Sequence, residues 1–266
     1  MLIWTDRGRR AVVTVFAGLV LVLFVAPLLV MLVASLARTW NDVLPSSLTT
    51  AHLREALSAD SLASLSTSIQ TALIAGLVAV AVGAWAALAT VRLPRRLRAV
   101  SDAFFHLPLA VPSVVVGFGV LVAFSRRPIL LNGTKWIVIA AQAVLVLAFA
   151  HSTVSAALQR LDRRLLDVAA SLGARPARVL TRVTLPLLLP SITAAAALAV
   201  ALCMGELGAT IMVYPSSWRT LPVTIFGLSD RGDVFGASAH TLVLLATTGL
   251  LLLAIGRVRT GHRRGR

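Results

Sequence analysis

Residues 11–37 read AVVTVFAGLVLVLFVAPLLVMLVASLA, 27 consecutive positions without a charged side chain. A bilayer core about 30 Å thick is crossed by about 20 apolar residues in a helix, so this run is long enough to span. It is too long for the apolar region of a signal peptide and lacks a clear small-residue cleavage site, so it reads as a retained span. Five further runs share its character: Thr67–Val91, Ser101–Phe124, Trp136–Leu158, Leu185–Gly205 and Val234–Val258. The expected fold class is all-α integral membrane, with six transmembrane helices in one membrane domain spanning residues 1–266. Pro27 in the first span, and Pro108 and Pro112 in the third, are compatible with this because neighbouring helices satisfy the freed carbonyls.

Composition agrees with the runs. Apolar residues make up 58% of the 266 and charged residues 13%, where soluble domains carry about 45–50% and about 25%. Surface-to-volume geometry prevents a water-soluble fold of this size from hiding so much apolar side chain, and the same figures exclude intrinsic disorder. The single Cys203 excludes an intrachain disulfide or a thiolate metal cluster, and no metal site is expected. A net charge of +15 would suit a nucleic-acid binder only if gathered on one face of a soluble domain. Here the arginines fall in short clusters between apolar runs, so membrane topology explains them and no nucleic-acid partner is expected.

Those clusters orient the chain, because cytoplasmic loops carry the excess of Lys and Arg. One side holds 18 of the 25 cations: Arg7, Arg9 and Arg10; Arg92, Arg95, Arg96 and Arg98; six between Arg160 and Arg182; and five from Arg257 on. The other side holds Arg38, Arg54, Arg126, Arg127, Lys135, Arg219 and Arg231. Both termini and the segments 92–98 and 159–184 are thus expected in the cytoplasm. On the opposite side, 38–66 carries a short helix near His52–Leu57, and 125–135 turns at Asn132-Gly133. Residues 206–233, with Pro215, Ser216, Ser217 and Pro222, read as broken backbone.

The cytoplasmic segment Gln159–Pro186 carries most information. Leu161, Leu165, Val168 and Leu172 recur at helical spacing on one face. Gly173 stops that helix, as a residue that takes positive φ without penalty. Pro176 suits the first position of a second helix, and Arg175 stands where a capping Ser or Thr is common. The expectation is a helix–turn–helix on the cytoplasmic surface, its second helix ending where Leu185-Pro186 begins the next span. Physics alone leaves two uses open: lying at the lipid interface, or docking a partner.

Asp167-Val168-Ala169, Gly173 six residues later, and Val183-Thr184-Leu185-Pro186 resemble the E-A-A…G…I-x-L-P loop of ABC importer permeases, the membrane subunits of binding-protein-dependent transport systems. Asp167, Val168 and Val183 depart from that pattern conservatively. The resemblance extends to Pro108-Leu109-Ala110-Val111-Pro112-Ser113, to Gly205-Glu206-Leu207-Gly208-Ala209-Thr210 and to Trp218-Arg219-Thr220-Leu221-Pro222. These strings are most similar to the sulfate, molybdate, thiamine, iron and phosphonate branch. Tyr214–Pro222 and Leu228-Ser229-Asp230-Arg231-Gly232 look closest to 2-aminoethylphosphonate permeases.

The resemblance implies that loop 159–186 docks as a coupling helix on a dimer of cytoplasmic ABC ATPases, through Asp167, Val168, Ala169, Gly173, Val183, Leu185 and Pro186. It also implies a second permease subunit, identical or homologous, and a periplasmic or extracellular solute-binding protein that meets 38–66 and 206–233. The location is the bacterial inner membrane, in contact with lipid. The third and fifth spans, with Pro108, Pro112, Ser113, Gly205, Glu206 and Thr210, are expected to line the path.

The chain is not expected to be an enzyme. A P-loop needs G-x-x-x-x-G-K-[ST], and the only lysine sits in Asn132-Gly133-Thr134-Lys135-Trp136; ATP and Mg belong to the partner. No catalytic residue is assigned, because His151-Ser152 are neighbours that point apart on a helix and no G-x-S-x-G occurs. Ion-coupled transport is the alternative mechanism, with Asp102, His106, His151, Glu206 and His240 as ionisable residues within or beside the spans. Glu206 has two readings there: an interfacial carboxylate with a hydrogen-bond partner, or a pathway or gate residue, which the resemblance favours.

Overall fold

The computed structural model describes residues 6–91 and 93–261, without the side chains of residues 6, 7, 163 and 258–261. Arg92, Arg263, Arg264 and Arg266, counted above, lie outside the described residues, as do the side chains of Arg7, Arg163 and Arg259.

In order, the chain forms α1 (Gly8–Leu36), β1 (Ala37–Thr39), β2 (Ser47–Leu48), α2 (Ala51–Ala56), α3 (Ala59–Thr90), α4 (Arg95–His106), α5 (Ser113–Ala123), α6 (Lys135–Arg160), α7 (Arg163–Ser171), α8 (Pro176–Met204), α9 (Thr210–Val213), α10 (Leu221–Asp230) and α11 (Val234–Gly261). Among the described residues, α1, α3, α6, α8 and α11 are long and apolar enough to cross a bilayer unbroken. The short antiparallel ribbon β1–β2, with Ala37 opposite Leu48, was not expected of an all-α chain. It closes the turn after α1, where the Thr39 and Ser47 hydroxyls meet at 3.1 Å.

The third span departs from the expected continuous helix Ser101–Phe124. It is a bent pair, α4 with the 3-10 turn Leu107–Ala110 and then α5, angled by 102°. The cause is Pro112. A proline ring pushes the preceding residue out of the helical region, and Val111 sits at φ −113°, ψ 138°. Pro108 falls within the 3-10 turn.

Two prolines leave a second signature. Inside a helix, proline removes one hydrogen bond and crowds the carbonyl four residues earlier. For Pro27 that carbonyl belongs to Leu23, and for Pro186 to Arg182. Leu21–Val25 and Leu180–Thr184 are both π-helical turns. Each widens the backbone where the proline would collide, so both helices continue through.

The described chain divides into two compact units, one up to Leu62 with Thr224–Leu245, the other Ala63–Val223 with residues from Ala246 on. In the first, His240 Nε2 lies 2.8 Å from the Ser61 hydroxyl, and its Nδ1 donates to the Gly236 carbonyl. Asp233 caps α11 by accepting from Gly236 N–H at 2.8 Å, which fixes where the last span begins. In the second, α6 is the central element, with Ile137, Val138, Ala141, Ala148, Ala150 and Val154 fully buried. Gly83 of α3 lets that helix approach α6: a Cβ there would stand 2.8 Å from the His151 nitrogen.

Candidate functional site: a hinge, a long helix and a braced turn

The described chain brings two groups of residues into relation through α8. The first surrounds Gly173. Asp162 caps α7, its carboxylate accepting from Arg164 N–H at 3.0 Å. The helix ends as a Schellman motif, with Gly173 N–H donating to Ala170 O at 2.9 Å and Ala174 N–H to Ala169 O at 3.1 Å. Gly173 has φ +82°, a conformation costing an L-residue roughly 1–2 kcal/mol. Arg175 then leads into Pro176 without a side-chain cap, as its identity suggests.

The second helix is not the separate surface helix the sequence suggested. It runs unbroken from Pro176 to Met204, because the π-turn absorbs Pro186. Val183, Leu185 and Pro186 therefore lie inside the first turns of a span, and the fifth span begins at Pro176 rather than Leu185.

The expected stripe on α7 faces outward. Leu165 is 50% exposed, Val168 57% and Leu172 82%. Beneath it, Thr153, Ala157, Leu161, Leu165, Leu187 and Leu188 are among the residues lining an open cleft of about 550 Å³. Asp167 and Gly173 are exposed and Ala169 half-buried. The turn at Gly173 thus leaves Leu165, Val168 and Leu172 half or more exposed.

The second group lies at the other end of α8. Gly205 caps that helix at φ −96° and has open space around it. Glu206 folds back over the turn that follows. Its Oε1 accepts from Ala209 N–H at 2.8 Å, and its Oε2 from Thr210 N–H at 2.9 Å and the Thr210 hydroxyl at 2.6 Å. Gln142 Nε2 on α6 donates to the same hydroxyl at 2.9 Å. Of the two readings of Glu206, the geometry supplies partners for the carboxylate, as a brace of the turn into α9.

Close approach joins this turn to the bent third span. A Cβ on Gly117 would lie 2.6 Å from the Ala209 Cα and carbonyl oxygen, and one on Gly208 would collide with the Ser113 hydroxyl. Ser113, Glu206 and Thr210 are therefore gathered in one region, where α5, α6 and the 205–213 turn pack together. Pro112 starts α5 from one residue away. Pro108 sits on the far side of the bend.

Sequence reasoning missed several partners. Trp218 Nε1 donates to the Thr71 hydroxyl at 2.9 Å, and Leu221 N–H to the Ser68 hydroxyl at 2.7 Å. These bonds pin the broken segment 214–222 to α3. Lys135 stands 5.4 Å from the Trp136 ring centre and 5.2 Å from that of Trp218, a cation–π arrangement at the start of α6. Asp102, His106 and His151, weighed singly from sequence, meet between α4 and α6. Phe105 stacks on the His151 ring at 4.4 Å, Asp102 Oδ1 lies 3.8 Å from His151 Nε2, and His106 Nε2 lies 2.7 Å from the Ser152 hydroxyl.

Residues 79–260 match the family model described as "Binding-protein-dependent transport system inner membrane component". The chain belongs to this family of permeases. Such permeases are multi-pass inner-membrane transport components and not enzymes. The putative 2-aminoethylphosphonate transport system permease protein PhnV of Salmonella paratyphi A is 46% identical over 258 residues, covering 97% of each chain. The molybdenum transport system permease protein ModB of Mycobacterium tuberculosis is 33% identical, covering 71% of this chain and 76% of its own. Among solved structures, a bacterial alginate ABC transporter in complex with an alginate pentasaccharide-bound periplasmic protein superposes with TM-score 0.75 at 17% identity, covering 96% of each chain. The inward-facing MetNI methionine ABC transporter gives TM-score 0.63 at 16% identity, covering 77% of this chain and 98% of the other. At these identities the two structures establish the permease fold.

Proposed function

We propose that this permease carries 2-aminoethylphosphonate across the inner membrane as part of an ATP-driven importer. The carrying observation is the 46% identity to a permease of that name across 97% of both chains. Sulfate, molybdate, thiamine or iron is the second reading, and among these molybdate has the support of the 33% relative. A second permease subunit, a dimer of ABC ATPases holding ATP and Mg, and a periplasmic solute-binding protein complete the assembly.

In the proposed mechanism both termini and loop 159–186 face the cytoplasm, and the whole chain acts as one membrane domain. The exposed stripe of α7 fills a groove on the ATPase, with Asp167 setting register, as in helix-in-groove recognition. Closure of the ATPases on ATP shifts α7, and Gly173 lets it pivot without unwinding. The displacement then passes along α8, whose 29 residues form a rod about 43 Å long. It arrives at the turn held by Glu206. Because Gly117 packs on Ala209 and Gln142 bonds Thr210, a moved turn carries α5 and α6 with it. Pro108, Pro112, Ser113, Gly205, Glu206 and Thr210 line or brace the path whose access alternates.

The test is uptake of labelled 2-aminoethylphosphonate into proteoliposomes holding the permease, its ATPase and its binding protein. ATP-dependent accumulation that excess molybdate does not compete away is expected. Accumulation of molybdate instead would overturn the substrate. Uptake that follows an ion gradient and ignores ATP would overturn the importer mechanism itself.

A further inference from the structure

The transport mechanism leaves α4 without a task. One of its faces, with Asp102, Phe105 and His106, is turned to His151 and Ser152 of α6. On the opposite face Leu97, Val100, Phe104 and Leu107 stand 56%, 68%, 71% and 61% exposed. Their spacings of three, four and three residues make a continuous helical stripe. Arg96 lies one turn before Val100, at the border of that stripe, whereas Arg95, seven residues before Asp102, stands on the Asp102 side of the helix; both are exposed. Arg98 is otherwise engaged, its guanidinium donating to the Val91 carbonyl at the end of α3.

Two requirements conflict anywhere except at the membrane boundary. Four exposed large apolar side chains in a row are costly in water. Exposed guanidinium groups are costly in the hydrocarbon core. The bend supplies the geometry that reconciles them. With α5 entering the bilayer, the 102° angle lays α4 close to the membrane plane, where the stripe meets acyl chains and Arg96 at its border meets phosphates.

We propose that α4 is an interfacial helix that binds anionic phospholipid. Leu97, Val100, Phe104 and Leu107 enter the acyl boundary, and Arg96 holds the headgroup phosphate. The Phe105–His151 stack fixes the rotation of α4 that presents this face. Charge complementarity favours lipid over a second copy of the chain, whose identical helix would bring arginines against arginines.

Phe104→Trp in the full transporter, reconstituted in vesicles, reads this directly. Quenching of the added indole fluorescence is measured with brominated phosphatidylglycerol and with brominated phosphatidylcholine, after subtraction of the unsubstituted protein. Both lipids should quench, with the anionic one preferred by about fivefold and the preference falling with salt. Combining Phe104→Trp with Arg96→Gln should erase the preference and keep the quenching by phosphatidylcholine. Val22→Trp, at a 62% exposed position within an uncharged run of α1, serves as the control and should show no preference. Absence of quenching by either lipid at position 104 would mean that protein covers the stripe and would overturn the proposal. Equal quenching by both, or a preference indifferent to Arg96, would overturn the anionic recognition.

Discussion

Glu206→Gln separates the brace from the gate. The carboxylate accepts three hydrogen bonds, two through Oε2 and one through Oε1. Hydrogen bonds to a charged acceptor contribute about 1.5–3 kcal/mol each, and neutral ones about 0.5–1.5. A glutamine keeps one oxygen, able to serve Thr210, but turns its NH2 towards the Ala209 N–H. One bond is lost, a donor faces a donor, and the remaining two become neutral. The expected cost is about 2–4 kcal/mol, or roughly 4–8 °C in melting temperature for a chain of this size. Thermal unfolding of the purified transporter in detergent measures it, alongside Thr210→Val and the double variant. Thr210→Val also leaves Gln142 Nε2 without its acceptor, so the two sites should couple by about 1–2 kcal/mol. Unchanged melting of Glu206→Gln together with abolished uptake would refute the brace and assign the carboxylate to the moving solute or a gate.

Gly173→Val should leave membrane insertion intact but force a β-branched residue into positive φ, at a cost above the roughly 1–2 kcal/mol of an ordinary residue. ATP hydrolysis should then proceed without uptake, measured as the ratio of phosphate released to solute accumulated. Gly117→Val places a side chain against the Ala209 backbone, which cannot yield as a flexible side chain does. A loss of about 1–3 kcal/mol should appear in thermal unfolding, with uptake reduced in parallel.

The features legible in the sequence are those decided within a few residues. Five spans declared themselves through apolar runs, Gly173 through its freedom to take positive φ, and Pro176 through its missing N–H. The short helix expected near His52–Leu57 forms as Ala51–Ala56, and Asn132-Gly133 turns as expected, with Gly133 at φ +80°. The bend in the third span had a local signal, since Val111 precedes a proline, but hydropathy counts apolar residues and is blind to direction. The π-turns before Pro27 and Pro186 follow from the same steric rule, and missing the second turned one continuous helix into two.

The contacts of the braced turn were illegible for another reason. Gln142 and Thr210 are 68 residues apart, and Trp218 and Thr71 are 147 apart. No period relates them. Glycines 117 and 208 carry no sequence mark that separates a helix crossing from a spacer. The meeting of Asp102, His106 and His151 likewise exists only once α4 has folded back on α6.

The coupling claim rests on α7 reaching a cytoplasmic ATPase, and Leu172, 82% exposed, is the position to ask. Cys203 is buried, so Leu172→Cys gives a single accessible thiol even in the native background. A membrane-impermeant maleimide should label it in inside-out vesicles only, and bound ATPase subunit should protect it. Labelling from the outer face, or labelling unaffected by the ATPase, would contradict the account.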